Sequence, residues 1–253
     1  MVEQLWFTEL LNRAFGGPVT SALHALRIHP HDPAAPITNY VAMQILVVAA
    51  LIVFFVLVRA RLSVENPGPL QHIVEAAHGF VGSLGREMIG HGHERYLAFL
   101  GTLGFYILSC NMIGLIPGFE SPTAIPSVPL GCAIVTWVYY QSQGFRSNGL
   151  GYVTHFLGPV GDKSIPLVVR VGIAILMFPI EVFSHIARML SLTVRLFANM
   201  FAGDMVTLVF FSLVPIGLPV IFLGLHIGVS FIQTYIFVLL ATVYLSEATA
   251  HAH

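Results

Sequence analysis

The residues of this sequence most able to do chemistry are charged and polar side chains within long apolar stretches. Arg195 and Asp204 lie in one such stretch, and His226 and Gln233 lie in the next. A carboxylate and an imidazole can exchange protons near neutral pH, whereas an arginine stays charged and acts as a fixed positive barrier. Charge in apolar surroundings is costly and therefore indicates a function. These residues favour proton transfer on both sides of a fixed cation.

A helical wheel centred on Arg195 places the polar residues of its stretch on one face. At 100° per residue, this polar stripe falls within about 40° of Arg195. Asp204 falls about 180° away, so it needs a partner on another helix or a water molecule. The stripe consists of Glu181, Ser184, Arg188, Ser191 and Asn199.

The next apolar stretch supplies the second helix. His226 and Gln233 are seven residues apart and nearly eclipsed, and Tyr244 follows on the same face. In an antiparallel pair, His226 lies towards the end that holds Asp204, and Gln233 lies near the depth of Arg195. Two half-channels separated by a fixed charge conduct only if a partner carries the proton around it. The expected cytoplasmic half contains Glu181, Ser184 and Ser191, and the external half contains Asp204 and His226.

Each of these residues also has a purely structural interpretation. Asp204 could be an ion-pair partner, His226 a satisfied interior histidine and Gln233 an interhelical hydrogen-bonding residue. Arg188 is better explained as an interfacial anchor that extends towards the membrane surface. Arg195 is followed by a long, mostly apolar sequence, so an outward-extending side chain explains it poorly.

No metal or cofactor site is expected. Three pairs of closely spaced histidines lack cysteine or carboxylate partners at fixed spacing and are interpreted as solvated side chains. The sequence has no HExxH, GxSxG or glycine-rich phosphate loop, so a membrane protease or nucleotide site has no support. The histidine pairs are His29/His31, His91/His93 and His251/His253.

Composition determines the class of protein that must position these side chains. The 253 residues are 56% hydrophobic and 9% charged, against about 25% charged in a typical soluble domain. So few charged residues cannot cover the surface of a water-soluble protein of this size. A soluble enzyme is therefore excluded, and an all-α polytopic membrane protein is predicted. The net charge of −1 gives no basic field, so no nucleic-acid partner is expected.

Five hydrophobic blocks predict about five transmembrane helices, since roughly 20 apolar residues are enough to cross the hydrocarbon core. Pro219 to Glu247 alone would form a helix of about 43 Å, against about 30 Å for that core. The last two helices are therefore expected to tilt strongly or to break, with Pro166 and Pro179 as kink sites in the fourth. The spans are placed near 40–58, 96–118 and 128–145, in a long block ending near 214, and from 219 to about 246.

The segment from Leu70 to Gly90 has a different pattern, because its apolar residues recur at three- and four-residue spacing. We interpret it as an amphipathic helix on the membrane surface, with an extramembrane helix packed on other protein as the alternative. The apolar set is Ile73, Val74, Ala77, Phe80, Val81, Leu84 and Met88.

Basic residues predict the orientation. They occur in residues 59–95 and in the loop after the third span, but not in 119–127 or the C-terminal tail. The positive-inside rule makes the basic loops cytoplasmic, which puts the N-terminus outside and the C-terminus in the cytoplasm. We expect residues 1–36 to be an extramembrane segment and residues 37–253 to form one integral membrane domain.

Several segments resemble a known family. Residues 191–204, SLTVRLFANMFAGD, resemble the signature of subunit a of the F-type ATP synthases, and residues 231–246 are similar to that family's last helix. Residues 111–118 resemble its second-span motif, and residues 121–123 the loop that follows. The resemblance covers roughly residues 37–248.

The resemblance implies a non-catalytic stator subunit, without a cofactor, in a bacterial inner membrane. Such a subunit carries protons through two offset half-channels to a rotating ring of c subunits and couples this proton flow to ATP synthesis. Its other partners are the b-subunit peripheral stalk, the rest of the synthase and membrane lipid. The family's invariant arginine corresponds to Arg195, which faces the ring carboxylates and forces each to lose its proton.

The resemblance also implies roles for other residues. Residue 204 is Asp where many relatives carry Glu, so a water is expected between Asp204 and His226. Gly114 stands where some relatives carry an acid. The implied polar positions are Asn199 and Gln233 near the arginine, Asp204 and His226 on the external side, and Glu181 and Ser184 on the cytoplasmic side.

Two other functions explain the sequence less well. A proton-coupled secondary transporter predicts internal repeats and paired broken helices, and no repeat relates the halves of this sequence. A self-contained channel is disfavoured, because a central fixed cation such as Arg195 blocks proton and cation flow.

Overall fold

A computed structural model describes residues 5–25, 36–116, 119–152, 166–213 and 217–250. Within these ranges the regular elements are helical, and no strand occurs, which confirms the all-α prediction. Pro117, Gly118, Lys163, Pro215 and two of the histidine pairs lie outside the described residues. The longer helices are α1 Trp6–Ala25, α2 Asn39–Ala60, α3 Pro69–Met88, α4 Glu94–Ile113, α5 Ser127–Asn148, α6 Leu167–Leu213 and α7 Leu218–Thr249.

Four of the described helices are long and apolar enough to cross a membrane. They are α2, α4, α6 from Val171 and α7 from Val220, and they correspond to the first, second, fourth and fifth predicted spans. The chain is therefore a polytopic membrane protein. Helix α5 matches the predicted third span and has 22 residues, but it is less apolar because its second half carries Gln141, Ser142 and Gln143. Its crossing of the membrane stays a prediction.

The two longest helices are α6, with 47 residues, and α7, with 32. At 1.5 Å per residue their axes measure about 70 Å and about 48 Å, well beyond a core of about 30 Å. Helix α6 continues through Pro179. Pro166 precedes the first residue of α6, so the kink that the sequence predicts at Pro166 does not fall within the helix. Gly217, just before α7, has a φ of 95°, a left-handed conformation that glycine adopts without a steric penalty.

Helix α1 has no counterpart among the predicted elements. The Asn12 side chain exchanges two hydrogen bonds with the backbone of Ile37, each 3.0 Å long. The Leu5 N–H donates to the Oδ1 of Asn39, the first residue of α2, at 3.3 Å. These bonds attach α1, and the residue before it, to the first residue of α2 and to the chain just before α2.

Helix α3 spans the segment predicted to be amphipathic. Val81 and Leu84 are buried, and the Phe80 ring lies 5.7 Å from the ring of Tyr235. The second half of α3 thus packs on protein, as the alternative interpretation required. Ile73, in its first half, is 55% exposed, so contact of that half with the membrane surface stays a prediction.

The chain forms two compact units, and each takes three separate segments. We call them the first unit and the second unit and describe each by itself. The first unit contains Met1–Val74, Phe105–Ile125 and Ala198–Thr234, and the second contains Glu75–Gly104, Pro126–Phe197 and Tyr235–His253.

Candidate functional site

In the first unit, Asp204 of α6 and His226 of α7 lie side by side. The His226 Nδ1 is 3.8 Å from the Asp204 Oδ1, which is ion-pair range but too long for a hydrogen bond. His226 is only 5% exposed, and its Nε2 has no hydrogen-bond partner among the described residues. The wheel prediction that Asp204 needs a partner on another helix is consistent with this geometry. The water expected between the two side chains stays a prediction.

A glycine makes the approach of His226 to α6 possible. A Cβ built on Gly203 would lie 2.7 Å from the His226 Nδ1, closer than real Cβ contacts. The imidazole therefore occupies the space that any other residue at position 203 would fill. The sequence stretch gave no indication of this, because glycine within a helix usually signals only lower helix propensity.

A second pair in the first unit consists of two amides. The Asn199 Nδ2 donates to the Gln233 Oε1 at 2.7 Å, and Gln233 is 1% exposed. Both residues were predicted site residues, and the structure brings them together. Neither amide ionises, so the pair connects α6 to α7 without adding charge.

In the second unit, Arg195 lies on α6 with few internal partners. Its Nη2 donates to the Ser191 Oγ at 3.3 Å, one helical turn earlier. Within the described ranges, no carboxylate forms an ion pair with Arg195, whereas Arg188 pairs with Glu247. Arg195 as a whole is partly buried.

The second unit also contains a polar cluster that includes Glu181. The His185 Nε2 lies 3.6 Å from the Glu181 Oε1, and the His185 Nδ1 is hydrogen-bonded to the Tyr140 hydroxyl at 2.8 Å. The sequence reasoning missed His185 and Tyr140. The spacing of four residues between Glu181 and His185 was the available signal, since such residues are neighbours on a helix.

Arg188 has partners within the protein. It donates a hydrogen bond to Glu247 of α7, and its guanidinium carbon lies 4.9 Å from the centroid of the Tyr244 ring, within cation–π range. The expectation that Arg188 only anchors the protein at the membrane surface is therefore incomplete. Glu247 was not among the predicted site residues.

These groups line one cavity of about 380 Å³ in the second unit. It combines carboxylates, an imidazole, phenols and a guanidinium, a lining that can hold water and exchange protons. Burial raises the pKa of the Tyr152 phenol, beyond the end of α5, to about 12, with Glu181 and Glu247 raising it further and Arg188 lowering it. Tyr152 therefore stays protonated and donates a hydrogen bond to Gln141. The lining residues are Tyr140, Tyr152, Glu181, His185, Arg188, Tyr244, Glu247, Ala248 and Ala250.

Two predicted site residues stay outside these groups. Ser184 is partly buried and does not line the cavity. Ser191 is exposed and serves only as the acceptor for Arg195. Among the described residues, no three His, Cys, Asp or Glu side chains are grouped so as to hold a metal ion.

Comparison with known proteins gives consistent matches over most of the chain. The family profile described as ATP synthase A chain matches residues 41–246. A protein named ATP synthase subunit a from Koribacter versatilis is 58% identical over 254 aligned residues, covering 100% of both chains. One of the same name from Solibacter usitatus is 51% identical over 221 residues, 87% of this chain and 91% of that protein. Another, from a Sulfurihydrogenibium species, is 34% identical and covers 85% of this chain and 98% of its own.

Proposed function

This chain belongs to the ATP synthase A chain family, and from that premise we propose that it is the proton-carrying stator of an F-type ATP synthase. In this role it passes protons between the two sides of the membrane and a rotating ring of c subunits. The chain itself makes no covalent bonds, and ATP is formed elsewhere in the complex. The b-subunit peripheral stalk is its proposed second partner.

The state of Arg195 is the observation that carries the proposal. A guanidinium cannot lose its charge, and a charge on a membrane-spanning helix needs compensation. Among the described residues its hydrogen-bond partner is the neutral Ser191 hydroxyl, at 3.3 Å. A carboxylate of the c ring would supply the missing negative charge and would lose its proton on meeting Arg195.

The surface of α6 fits a partner within the membrane. The most apolar part of Val171–Leu213 is only 11% buried inside the protein. Large apolar side chains such as Ile175, Phe183 and Leu208 are more than 60% exposed. Such a face suits lipid or the apolar helices of a ring, and Arg195 lies on the same helix.

The Asp204–His226 pair is the proposed proton-binding group of the external half-channel. A carboxylate and an imidazole 3.8 Å apart can share protons through a small movement or one water. The buried His226 ring also has an unpartnered Nε2, which gives a second position for a proton. Asn199 and Gln233 are proposed to fix the two helices beside this pair.

The cavity around Glu181 is the proposed cytoplasmic half-channel. Glu181 can accept a proton released from the ring, and His185 lies near enough to exchange it. With the predicted topology, α6 begins and α7 ends on the cytoplasmic side, where this cavity would open. We propose that the N-terminus lies outside and that the membrane is a bacterial inner membrane.

Substitution of Arg195 tests the proposal. In inverted vesicles carrying the complete synthase, we expect Arg195→Ala to abolish ATP-driven proton pumping, because nothing then forces the ring carboxylates to lose their protons. Arg195→Lys should also fail, since a flexible ammonium does not hold a fixed planar charge. ATP hydrolysis by the vesicles measures the amount of assembled complex.

Arg86, an exposed arginine on α3, provides the matched control, and Arg86→Ala should pump normally. Normal pumping by Arg195→Ala at normal assembly would exclude the proposed mechanism.

A further inference from the structure

Helix α1 turns a polar face, not an apolar one, towards the rest of the first unit. Thr8 is fully buried, and the Asn12 side chain exchanges its two hydrogen bonds with the backbone of Ile37. Gly16 is buried, and a Cβ built on it would lie 3.9 Å from the ring of Pro36. Thr8, Asn12 and Gly16 are each four residues apart, so they share one face of the helix. Small and polar groups therefore attach α1 to the protein.

The apolar side chains of α1 lie on the opposite face. Trp6 is 69% exposed and Leu10 is 58% exposed, and Ala14, one turn further along, is exposed as well. We call Trp6, Leu10 and Ala14 the apolar stripe of α1. At 100° per residue, Leu10 falls about 160° from Asn12. Removal of apolar surface from water is favourable, so this stripe requires an apolar surrounding outside the chain.

The attachment also sets the depth at which the apolar stripe begins. The Leu5 N–H donates to the Asn39 Oδ1 at 3.3 Å, and Asn39 begins α2, which is long and apolar enough to cross a membrane. From there α2 exposes apolar side chains such as Val41 and Ile45, as a lipid-facing span does. Trp6 directly follows Leu5, so it lies beside the end of this span. Tryptophan is enriched at that level of a membrane, where lipid meets water.

A charged pair lies beside the apolar stripe. The Arg13 Nη2 is 2.6 Å from the Glu9 Oε1, and the two side chains are 78% and 53% exposed. Glu9 falls about 100° from Leu10 around the helix. A helix with a charged face next to an apolar face lies in the boundary between lipid headgroups and acyl chains. In that position the charges of Glu9 and Arg13 stay among headgroups and water.

We propose that the apolar stripe of α1 is inserted into the lipid of the leaflet in which α2 begins. Its surrounding is the boundary between headgroups and acyl chains, and the stripe continues the lipid-facing surface of α2. Another protein subunit is the competing occupant. Lipid is favoured because the stripe begins at the membrane end of α2 and carries a tryptophan there. This contact is independent of the proton path, since none of these residues belongs to it.

Fluorescence quenching at a single introduced cysteine tests this contact. The complete synthase carrying Leu10→Cys is labelled with a small thiol-reactive dye and placed in nanodiscs of phosphatidylcholine and phosphatidylglycerol, which expose both membrane faces to solvent. One quencher is a phosphatidylcholine with a nitroxide near the headgroup end of its acyl chain, and the other is aqueous iodide. We expect the nitroxide lipid to remove most of the emission and iodide to remove little.

Trp6→Cys, one turn earlier on the apolar stripe, should give the same result and serves as the second variant. The unsubstituted synthase gives the labelling background. ATP hydrolysis by each labelled complex measures assembly.

Glu9→Cys is the matched control, because it is the residue next to Leu10 and belongs to the charged face. Iodide should quench Glu9→Cys strongly, and the nitroxide lipid should quench it less than Leu10→Cys. Two further positions calibrate the quenchers. Val53→Cys, exposed within α2, gives full lipid contact, and Val64→Cys, exposed in the loop after α2, gives full water contact.

Three results would overturn the inference. Iodide quenching of Leu10→Cys as strong as that of Val64→Cys means that the apolar stripe faces water. Resistance of Leu10→Cys to both quenchers means that another subunit covers the stripe. Equal lipid quenching of Leu10→Cys and Glu9→Cys means that α1 has no distinct lipid-facing side.

Discussion

At the scale of single residues, the smallest side chains matter as much as the charged ones. Gly203 leaves the space into which the His226 ring fits, and the ring in turn lies 3.8 Å from Asp204. Gly114 is equally constrained, since a Cβ there would lie 2.7 Å from the Ser121 Cβ. An acidic side chain therefore has no room at position 114 without movement of the following loop. This crowding gives a physical reason for the glycine at that position.

Gly203→Ala tests whether the position of His226 governs proton uptake. The added methyl group would displace the imidazole from Asp204, so we expect ATP-driven pumping in inverted vesicles to fall by up to about a hundredfold, as for a reacting group misplaced by about 1 Å. Gly228→Ala on α7 is the matched control, because a Cβ there meets nothing within 4 Å. Equal pumping by the two variants would show that the ring position is unimportant.

Sequence reasoning identified single residues where charge stands out against apolar surroundings. Arg195 and Asp204 were found in this way. Tyr140 and His185 were not, because a tyrosine and a histidine on apolar helices are ordinary, and only the fold brings Tyr140 of α5 to His185 of α6.

At the scale of elements, the Arg188–Glu247 ion pair joins α6 to α7 within the second unit. The two side chains are 24% and 52% exposed, and partly exposed pairs contribute only about 0–1 kcal/mol. The pair therefore sets the arrangement of the cavity lining more than it sets stability. Neutral substitutions of either residue should leave assembly nearly unchanged.

Charge reversal gives a sharper test of this pair. Arg188→Glu places a new carboxylate beside Glu181 and Glu247, so we expect less assembled synthase in the membrane and slower pumping. Arg188→Glu combined with Glu247→Arg restores opposite charges and should recover both. The yield of ATP-hydrolysing complex per vesicle is the measurement, and Arg86→Glu on α3 is the control. Failure of the double reversal to recover assembly would mean that the attraction between the two charges does not matter.

The long apolar blocks allowed α2, α4, α6 and α7 to be located from the sequence, because a membrane-spanning helix needs a continuous apolar run. Helix α1 could not be located in this way. It is attached by the hydrogen bonds of the Asn12 side chain to Ile37, which leave no hydropathy pattern.

At the scale of the whole molecule, the predicted orientation can be tested by cysteine labelling. Arg61→Cys and Arg146→Cys should react with membrane-impermeant thiol reagents only from the cytoplasmic side, and Ser127→Cys, at an exposed position in the loop 119–127, only from outside. The reason is that basic loops stay in the cytoplasm. Right-side-out and inverted vesicles provide the comparison. The natural thiols Cys110 and Cys132 are buried, so the unsubstituted chain gives the background.

Reversed labelling would exchange the sides assigned to Asp204 and Glu181. It would leave the family membership unaffected.

The membrane class followed from composition, because 9% charged residues cannot cover a soluble surface. The two compact units did not follow from it. Each draws on three separated segments, and hydropathy along the chain says nothing about which distant segments pack together.

The uninterrupted length of α6 has a geometric consequence. Its 47 residues give an axis of about 70 Å, and a helix of that length kept within a layer of about 30 Å runs mostly sideways. Its two ends then lie tens of ångströms apart in the plane of the layer. In the proposed function, a proton taken up near one end and released near the other is displaced laterally as well as across. The proposed carrier of that proton then moves along the plane, so a gradient perpendicular to the membrane would become motion parallel to it.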